Sequence, residues 1–225
     1  MGKRRRWLCG YLCFLTNCRL MYPDESVYQR RYTVEEYFAL EEQSDIRHEY
    51  YHGDIFPMDR AGSQEGIAGG TKRHNCLIQN CAFALRAGLP ADCEVFAENV
   101  RLALADNQHF NYPDVVVSCD PTDDAPRTVH TPTFILEVLS KSTEARDRGW
   151  KFEQYQSLPS LRQYVLVSQY RMLVDSFVRT NHGTWELTPL RHPDEVLHVP
   201  GLEMAIPLAT LYERIPLDLI RLAYE

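Results

Sequence analysis

The sequence lacks an apolar run long enough to cross a membrane. Near its start, within MGKRRRWLCGYLCFLTNCRLMYPDES, the apolar stretch has about nine residues, whereas a membrane-spanning helix needs roughly 20. This segment also lacks an A-x-A-like cleavage site, and Cys and Asn interrupt it, so a signal peptide is the weaker alternative. We predict that residues 1–31 form a poorly ordered extension, with Met21 an alternative start, and that no membrane is a partner.

Paired cysteine motifs are also missing. The seven cysteines are odd in number and are never spaced as C-x-x-C, so they suggest neither a disulfide framework nor a zinc ribbon. They are Cys9, Cys13, Cys18, Cys76, Cys81, Cys93 and Cys119. A reducing, cytoplasmic location is the expectation that follows.

An excess of positive charge is the third absence. The formal net charge is -7 at pH 7, which argues against nonspecific nucleic-acid binding by bulk charge, because a phosphate backbone attracts Lys and Arg. A local basic groove is still compatible with this total, and a carboxylate-rich metal site would itself make it more negative. With 44% hydrophobic residues in 225 positions, the chain can bury a sizeable core, and a single domain is predicted over residues 32–225.

The apolar periodicity changes along the chain from helical to strand-like. Thr33 and Glu36 form a predicted capping box in TVEEYFALEEQ, and HEYYHGDIF is typical of a hairpin with Gly53 in its turn. A second helix is predicted from Thr71 to Gly88. Then come strand candidates CEVFAENVRLAL, YPDVVVSCD and TFILEVLS, a helix over about 147–157, strands QYVLVSQ, MLVDSFVR and TWELTPL, and a closing helix LATLYERI. This order predicts an α/β fold: a mixed central sheet flanked by helices, with an N-terminal helix and hairpin.

Two acids lie in or beside apolar strand candidates. The proline before Asp114 cannot donate to a strand ladder and marks a strand start, whereas Glu137 lies inside TFILEVLS. A buried carboxylate needs a base, a shifted pKa or a metal ion. Asp114, Glu137 and the Val138 carbonyl would form an oxygen-only site suited to Mg²⁺ or Mn²⁺. The alternative is that Asp114 caps a loop and Glu137 pairs with Arg146 or Arg148, but the two acids together favour the metal.

Several segments carry a resemblance to a known family. They are TVEEYFALEEQSDIRHEYYHGDIFPM, GGTKRHNCLIQNCAFALR, YPDVVVSCDP, PTFILEVLSKSTEARDRGWKFEQYQSLPSLRQYVLVSQ and PLATLYE. Over about residues 32–215 the chain resembles the bacterial Uma-two family of the PD-(D/E)XK nuclease superfamily, although DRAGSQEGIA looks longer than the usual connection. The resemblance implies a restriction-endonuclease-like core and metal-dependent hydrolysis of nucleic acid, with DNA the expected partner. It also implies that Asp114 and Glu137 are the metal-binding acids.

The position where such nucleases often have a lysine is occupied here by Leu139. Lys151 is the best replacement, because Lys151 and Tyr155 fall at i and i+4 on the face of the following helix that should pack on the sheet. A lysine at this position also matches the family pattern. Lys141 and Lys72 are nearby but are expected to be solvated. The alternative for Lys151 is that its stem covers apolar surface while its ammonium reaches water.

Three further residues are weaker candidates, and a fourth has a structural interpretation. His74 lies on the inward stripe of its helix, where a structural histidine is the more usual outcome. Glu98 in FAENVRL and Glu49 on the hairpin are candidate third carboxylates. Asp147 is predicted to be the N-cap of the Lys151 helix and not a ligand.

Two rival functions have some support in the sequence. HEYYH, residues 48–52, matches the H-E-x-x-H signature of zinc peptidases, but that chemistry needs a helix and the segment favours a strand. The stronger rival is a non-catalytic, nuclease-like module that binds nucleic acid or a protein partner, which the acidic charge and Leu139 favour. The sequence does not distinguish DNA from RNA, and a homodimer is expected only by analogy.

Overall fold

The computed structural model describes residues 30–58, 71–105 and 107–217 of the 225 in the chain. Nearly all of the predicted extension over 1–31, and all of DRAGSQEGIA at 59–68, lie outside the described residues. Within the described ranges, no helix is both long and apolar enough to span a membrane.

Short helical segments separate the strands. They are α1 (Val34–Gln43), α2 (Lys72–Gly88), α3 (Glu144–Arg146), a π-helical turn (Asp147–Lys151), α4 (Phe152–Gln156), a 3-10 turn (Pro200–Leu202) and α5 (Leu208–Leu211). The predicted capping box is present, because the Thr33 hydroxyl accepts the Glu36 N–H and the Glu36 carboxylate accepts the Thr33 N–H. The first two predicted helices are therefore confirmed.

The strands are mostly short. They are β1 (His48–Tyr51), β2 (Asp54–Pro57), β3 (Glu94–Ala97), β4 (Arg101–Leu104), β5 (His109–Asn111), β6 (Val115–Ser118), β7 (Thr128–Val129), β8 (Pro132–Leu139), β9 (Gln163–Ser168), β10 (Val174–Arg179), β11 (Trp185–Leu190), β12 (Val196–Val199) and β13 (Met204–Pro207). The hairpin prediction is confirmed by β1 and β2, and Gly53 in their turn has a φ of 99° that favours glycine.

The central sheet has six strands in the order β11-β10-β9-β8-β6-β3. It is mixed, because β8 and β9 are parallel while β6 and β8 are antiparallel. A second, five-stranded sheet has the order β2-β1-β5-β4-β7, and β12 pairs with β13 separately. The architecture is the predicted mixed α/β arrangement, with the N-terminal hairpin in the second sheet.

The two faces of β8 have different partners. Phe134 and Leu136 are buried in one apolar cluster with residues of α2, whereas Ile135 and Leu139 are buried in another with residues of α4. Side chains alternate between the faces of a strand, so Glu137 shares the face of Ile135 and Leu139, as predicted. The fold therefore directs this acid toward the helix that carries Lys151.

One predicted strand is two strands in the structure. CEVFAENVRLAL is interrupted at Glu98 and Asn99, whose φ angles of 51° and 58° are left-handed, and the chain passes there from β3 in one sheet to β4 in the other. The apolar alternation continues across the break and conceals it. The sequence pattern also fails to predict β5, β7, β12 and β13, and the closing helix α5 ends at Leu211, earlier than predicted.

The helix predicted over about 147–157 begins earlier than expected. Helical structure runs over residues 144–156 through α3, the π-helical turn and α4, and we call this run the Lys151 helix. Asp147 lies inside it with only 2% of its surface exposed. The N-cap interpretation of Asp147 is therefore wrong, because its carboxylate is directed inward and pairs with Lys151.

Cys93 and Cys119 are bonded to each other. In the antiparallel pair of β3 and β6, Glu94 lies opposite Ser118, so Cys93 and Cys119 are the next opposed residues. The expectation of unpaired cysteines is wrong for these two, since sequence spacing alone does not reveal a cross-strand pair. Cys76 and Cys81 are free thiols.

His109 lies where the five-stranded sheet meets the Lys151 helix. It is 0% exposed, and its ring centroid is 5.2 Å from that of Tyr51 and 5.0 Å from that of Trp150. Neither ring nitrogen has a hydrogen-bond partner within the described part of the chain. Burial, with added repulsion from Arg146, lowers the pKa of His109 to about 4, so the folded protein holds this side chain neutral.

We expect His109→Phe to reduce the loss of stability in acid. An unfolded histidine has a pKa near ~6.5, so protonation favours unfolding below that pH, and the stabilising contribution is lost as pH falls from about 6.5 to 4. Over this pH range, His109 should lower the free energy of unfolding by roughly 3 kcal/mol. Denaturant unfolding at stepped pH measures it, with His182→Phe at an exposed turn histidine as the control. An unchanged pH dependence in His109→Phe would contradict the assignment.

Candidate active site

Glu137 is buried next to two donors from the Lys151 helix. Its side chain is 4% exposed and that of Lys151 is 8% exposed. The Lys151 Nζ and the Tyr155 hydroxyl both donate to Glu137 Oε1, each at 2.9 Å. The predicted inward direction of Lys151 is therefore observed, and the alternative of a solvated ammonium is not. Glu137 does not pair with Arg146 or Arg148, which bind Glu49 and Asp175 instead.

A second carboxylate contacts the Lys151 ammonium. Asp147 Oδ1 lies 3.3 Å from Lys151 Nζ, one helical turn away, but the geometry is that of an ion pair without a hydrogen bond. The Tyr164 hydroxyl donates to the Asp147 carbonyl at 3.1 Å. Helical spacing correctly predicted that Tyr155 shares the inward face of Lys151, but not that its hydroxyl binds Glu137. The inward position of Asp147 was missed, although its place four residues before Lys151 indicates the same face.

The pKa values of Glu137 and Lys151 are shifted because both side chains are buried close to other charges. Burial raises the pKa of Glu137 above its ordinary value, against the opposing effect of the Lys151 ammonium. Burial by itself lowers the pKa of Lys151, but the Glu137 and Asp147 carboxylates outweigh it and raise that pKa well above its ordinary value. Lys151 is therefore a cation at neutral pH.

Asp114 lies beside the main chain of β8. It immediately precedes β6, and its Oδ2 accepts the Val138 N–H at 2.7 Å. His74 from the first turn of α2 approaches the same place, with Nε2 3.0 Å from the Val138 carbonyl oxygen and 3.5 Å from Asp114 Oδ2. A carbonyl oxygen only accepts, so Nε2 carries the hydrogen. Asp114, His74 and the main chain of Val138 thus meet beside β8, and the Asp114 charge also acts on the carboxyl of the adjacent residue, Glu137.

The pKa of His74 reflects the same neighbours. Burial would lower it, but the Asp114 carboxylate and the Val138 carbonyl outweigh burial and raise it. About a sixth of the His74 side chain is exposed, at 17%, and Asp114 is 20% exposed. The site is therefore open to solvent on the side of α2 and closed on the side of the Lys151 helix.

The two further carboxylate candidates are placed differently. Glu49 is 4% exposed and pairs with Arg146, and it is one of the charges that raise the pKa of Lys151. Glu98 is in the left-handed break after β3, not in a strand, and its N–H donates to the Asp114 carbonyl at 3.0 Å. Glu49 thus borders the lysine, whereas Glu98 supports the backbone at Asp114.

The oxygen atoms present suit a hard divalent cation. Asp114 and Glu137 each use one carboxylate oxygen for the hydrogen bonds above, and among the described residues no hydrogen bond reaches Asp114 Oδ1 or Glu137 Oε2. The Val138 carbonyl has a second lone pair besides the one facing His74. No group of three or more His, Cys, Asp or Glu side chains in the described ranges could hold a metal. Carboxylate and carbonyl oxygens are the donor type that Mg²⁺ and Mn²⁺ prefer and that structural zinc sites do not use.

The H-E-x-x-H segment has the wrong geometry for zinc. His48 is in β1, where its ring Nδ1 lies 2.8 Å from Glu41 Oε1, and His52 is in the following turn with a φ of 47°. The segment is a strand and turn, so the two histidines do not share a helix face. The structure therefore excludes the zinc-peptidase interpretation.

Comparisons with known proteins give a family match and two similar sequences. Residues 34–210 match the family model described as "Uma2: Putative restriction endonuclease". Two uncharacterised proteins of Synechocystis sp. are similar to this chain. One is 33% identical over 175 residues, covering 76% of this chain and 87% of that protein. The other is 32% identical over 162 residues, covering 70% and 86% respectively.

The fold has a solved counterpart. It is similar to the crystal structure of "a putative nuclease belonging to DUF820" from Anabaena variabilis, with a TM-score of 0.60 and 15% sequence identity, covering 80% of this chain and 97% of that chain. This similarity confirms the predicted nuclease-like α/β fold. From the family match and the two relatives together, the chain belongs to the Uma2 family, the family of "putative restriction endonucleases".

Proposed function

We propose that this protein hydrolyses phosphodiester bonds of nucleic acid, with DNA the expected substrate, using Mg²⁺ or Mn²⁺. The metal would be held by Asp114, Glu137 and the Val138 carbonyl. The observation that carries the proposal is that the two carboxylate oxygens of Glu137 have different surroundings. Oε1 accepts both hydrogen bonds, from Lys151 and from Tyr155. The other oxygen of Glu137 remains for a cation, and burial of the acid is then understandable.

When bound, the cation would supply positive charge to the phosphate oxygens and would lower the pKa of a water molecule. Lys151 supplies a second positive charge that does not depend on the metal. Because the pKa of Lys151 is raised well above its ordinary value, it acts as a hydrogen-bond donor to developing negative charge and not as a general base. Asp147 is a positioning residue in this scheme, since it contacts Lys151 and lies behind it in the helix.

The Lys151 helix has a feature that suits this role. Asp147 and Lys151 are the first and last residues of its π-helical turn. Such turns widen the helix locally and are frequent at functional sites. Here the turn provides an inward-facing lysine although Leu139 fills the strand position, and this supports a migrated lysine over a lost one.

We expect Asp114→Asn to abolish metal-dependent cleavage. The amide removes one anionic metal ligand, so the cleavage rate should fall by more than ~100-fold and metal affinity should fall with it. Cleavage of plasmid and single-stranded DNA with Mg²⁺ or Mn²⁺ measures the first effect, and titration calorimetry measures the second. Asp124→Asn, at an exposed loop position, is the charge-matched control.

The rival, non-catalytic module predicts another outcome. If wild type and Asp114→Asn behave identically and calorimetry shows that neither binds metal, the enzyme proposal is wrong. Binding of DNA without cleavage by either protein would then identify the module.

Lys151→Met should lower kcat by roughly 100- to 1,000-fold with little change in KM, because it removes charge that acts on the transition state. Tyr155→Phe keeps the aromatic ring and leaves the bond from Lys151 to Glu137 in place, but it removes one donor to Glu137 Oε1. A smaller decrease in kcat, of about tenfold, is therefore expected. Steady-state cleavage kinetics compare the two variants, and thermal unfolding checks that both are folded. A Lys151→Met protein that cleaves at the wild-type rate would refute the role of the lysine.

A further inference from the structure

A cluster of cations borders the candidate active site although the whole chain is acidic. It is formed by three short segments, residues 71–75, 139–143 and 169–172, which contain four Lys or Arg residues and no Asp or Glu. We call their cationic and aromatic side chains the basic rim, which consists of Lys72, Arg73, Lys141, Tyr170 and Arg171. Lys72, Lys141 and Arg171 are exposed, and Arg73 and Tyr170 are partly buried.

Hydrogen bonds hold the three segments of the basic rim together. The buried Gln169 is central, since it accepts from the Thr71 hydroxyl at 2.6 Å and donates to the Leu139 carbonyl at 2.9 Å. The main-chain carbonyl of Gln169 accepts a hydrogen bond from Arg73 Nη1 at 3.4 Å. The Tyr170 hydroxyl accepts the main-chain N–H of Lys141 at 3.1 Å. These hydrogen bonds fix the positions of the three segments relative to one another and to the end of β8.

The basic rim adjoins the open side of the active site. Arg73 immediately precedes His74, whose ring reaches Val138 and Asp114. Gln169 bonds to the carbonyl of Leu139, the residue after Val138, and Lys141 follows two residues later. A polymer with a phosphate next to Asp114 would thus meet these cations at its neighbouring phosphates.

The basic rim combines cations with an aromatic ring. Arg73 Nε is buried and has no hydrogen-bond partner in the described part of the chain. Tyr170 carries a cation beside its ring, with Lys141 Nζ 6.0 Å from the ring centroid. A positively charged track combined with an aromatic platform is the arrangement by which proteins bind single strands, because every unpaired base can stack.

We propose that the basic rim binds the sugar-phosphate backbone of single-stranded nucleic acid, with Tyr170 stacking on an unpaired base beside the scissile phosphate. This inference rests on the proposed nuclease function and adds the form of its substrate. Four cations on a chain of net charge -7 are few for the dense charge of a duplex. They suit a strand held partly by stacking, which does not depend on bulk charge.

Binding can be measured without cleavage in the Asp114→Asn background and without metal. The probe is a 5′-labelled single-stranded DNA of about 20 nucleotides, followed by fluorescence anisotropy over a range of salt concentrations. Lys72→Gln with Lys141→Gln removes two phosphate contacts, so affinity should fall about tenfold or more. The slope of log K against log salt should decrease by about 1.4, because each contact to a single strand contributes ~0.7.

The control is Arg86→Gln, on the same helix as Lys72 but at its other end. Fourteen residues at ~1.5 Å each put it roughly 21 Å from Lys72 along the axis, so affinity and salt slope should stay at the background values. If the double variant binds like Arg86→Gln, the basic rim is not the binding surface and the inference is overturned.

Tyr170 tests the preference for single strands. Tyr170→Leu should weaken single-strand binding by roughly tenfold and leave binding of a matched duplex unchanged, whereas Tyr170→Phe should keep the affinity for the single strand. A duplex that binds as tightly as the single strand, with no effect of Tyr170→Leu, overturns the stacking role.

The two proposals can fail separately. If wild type does not cleave but the rim variants weaken binding as expected, the nuclease proposal fails and the basic rim stands. If wild type cleaves and the rim variants bind single-stranded DNA as tightly as the Asp114→Asn background does, the nuclease proposal stands and the rim is refuted.

Discussion

The buried contact between Glu137 and Lys151 is the constraint on which the site depends. An apolar strand stabilises the central sheet, but a carboxylate inside it costs several kcal/mol unless other groups compensate. Lys151 and Tyr155 provide that compensation on one oxygen atom, both from the same helix. The position of this helix relative to β8 is therefore set by polar contacts as well as by the apolar cluster around Ile135 and Leu139.

The two larger sheets act on the site in different ways. The central sheet carries Glu137 in β8 and places Asp114 just before β6, so their geometry follows from strand register. The five-stranded sheet contacts the Lys151 helix, where Glu49 pairs with Arg146 and the rings of Tyr51, His109 and Trp150 pack together. The central sheet thus positions Asp114 and Glu137, and the five-stranded sheet supports the helix that carries Lys151.

Much of this arrangement could be predicted from the sequence, because it depends on short periodic patterns. Alternation along TFILEVLS gives the correct face for Glu137, and helical spacing gives the inward direction of Lys151. The failures have a common physical cause, since they depend on contacts between distant segments. The break at Glu98 and Asn99, the inward carboxylate of Asp147 and the bond between Cys93 and Cys119 all arise from partners that no local pattern contains.

The carboxylate of Asp114 is tied to the main chain of β8 through the Val138 N–H, and that of Glu137 is tied to the Lys151 helix. Each acid is therefore held by one oxygen before any cation arrives. The rotational freedom of these side chains is lost when the protein folds, so the cation of the proposed function would not have to remove it. The entropic cost of ordering the two acids would then lower the stability of the folded chain instead of the affinity for metal.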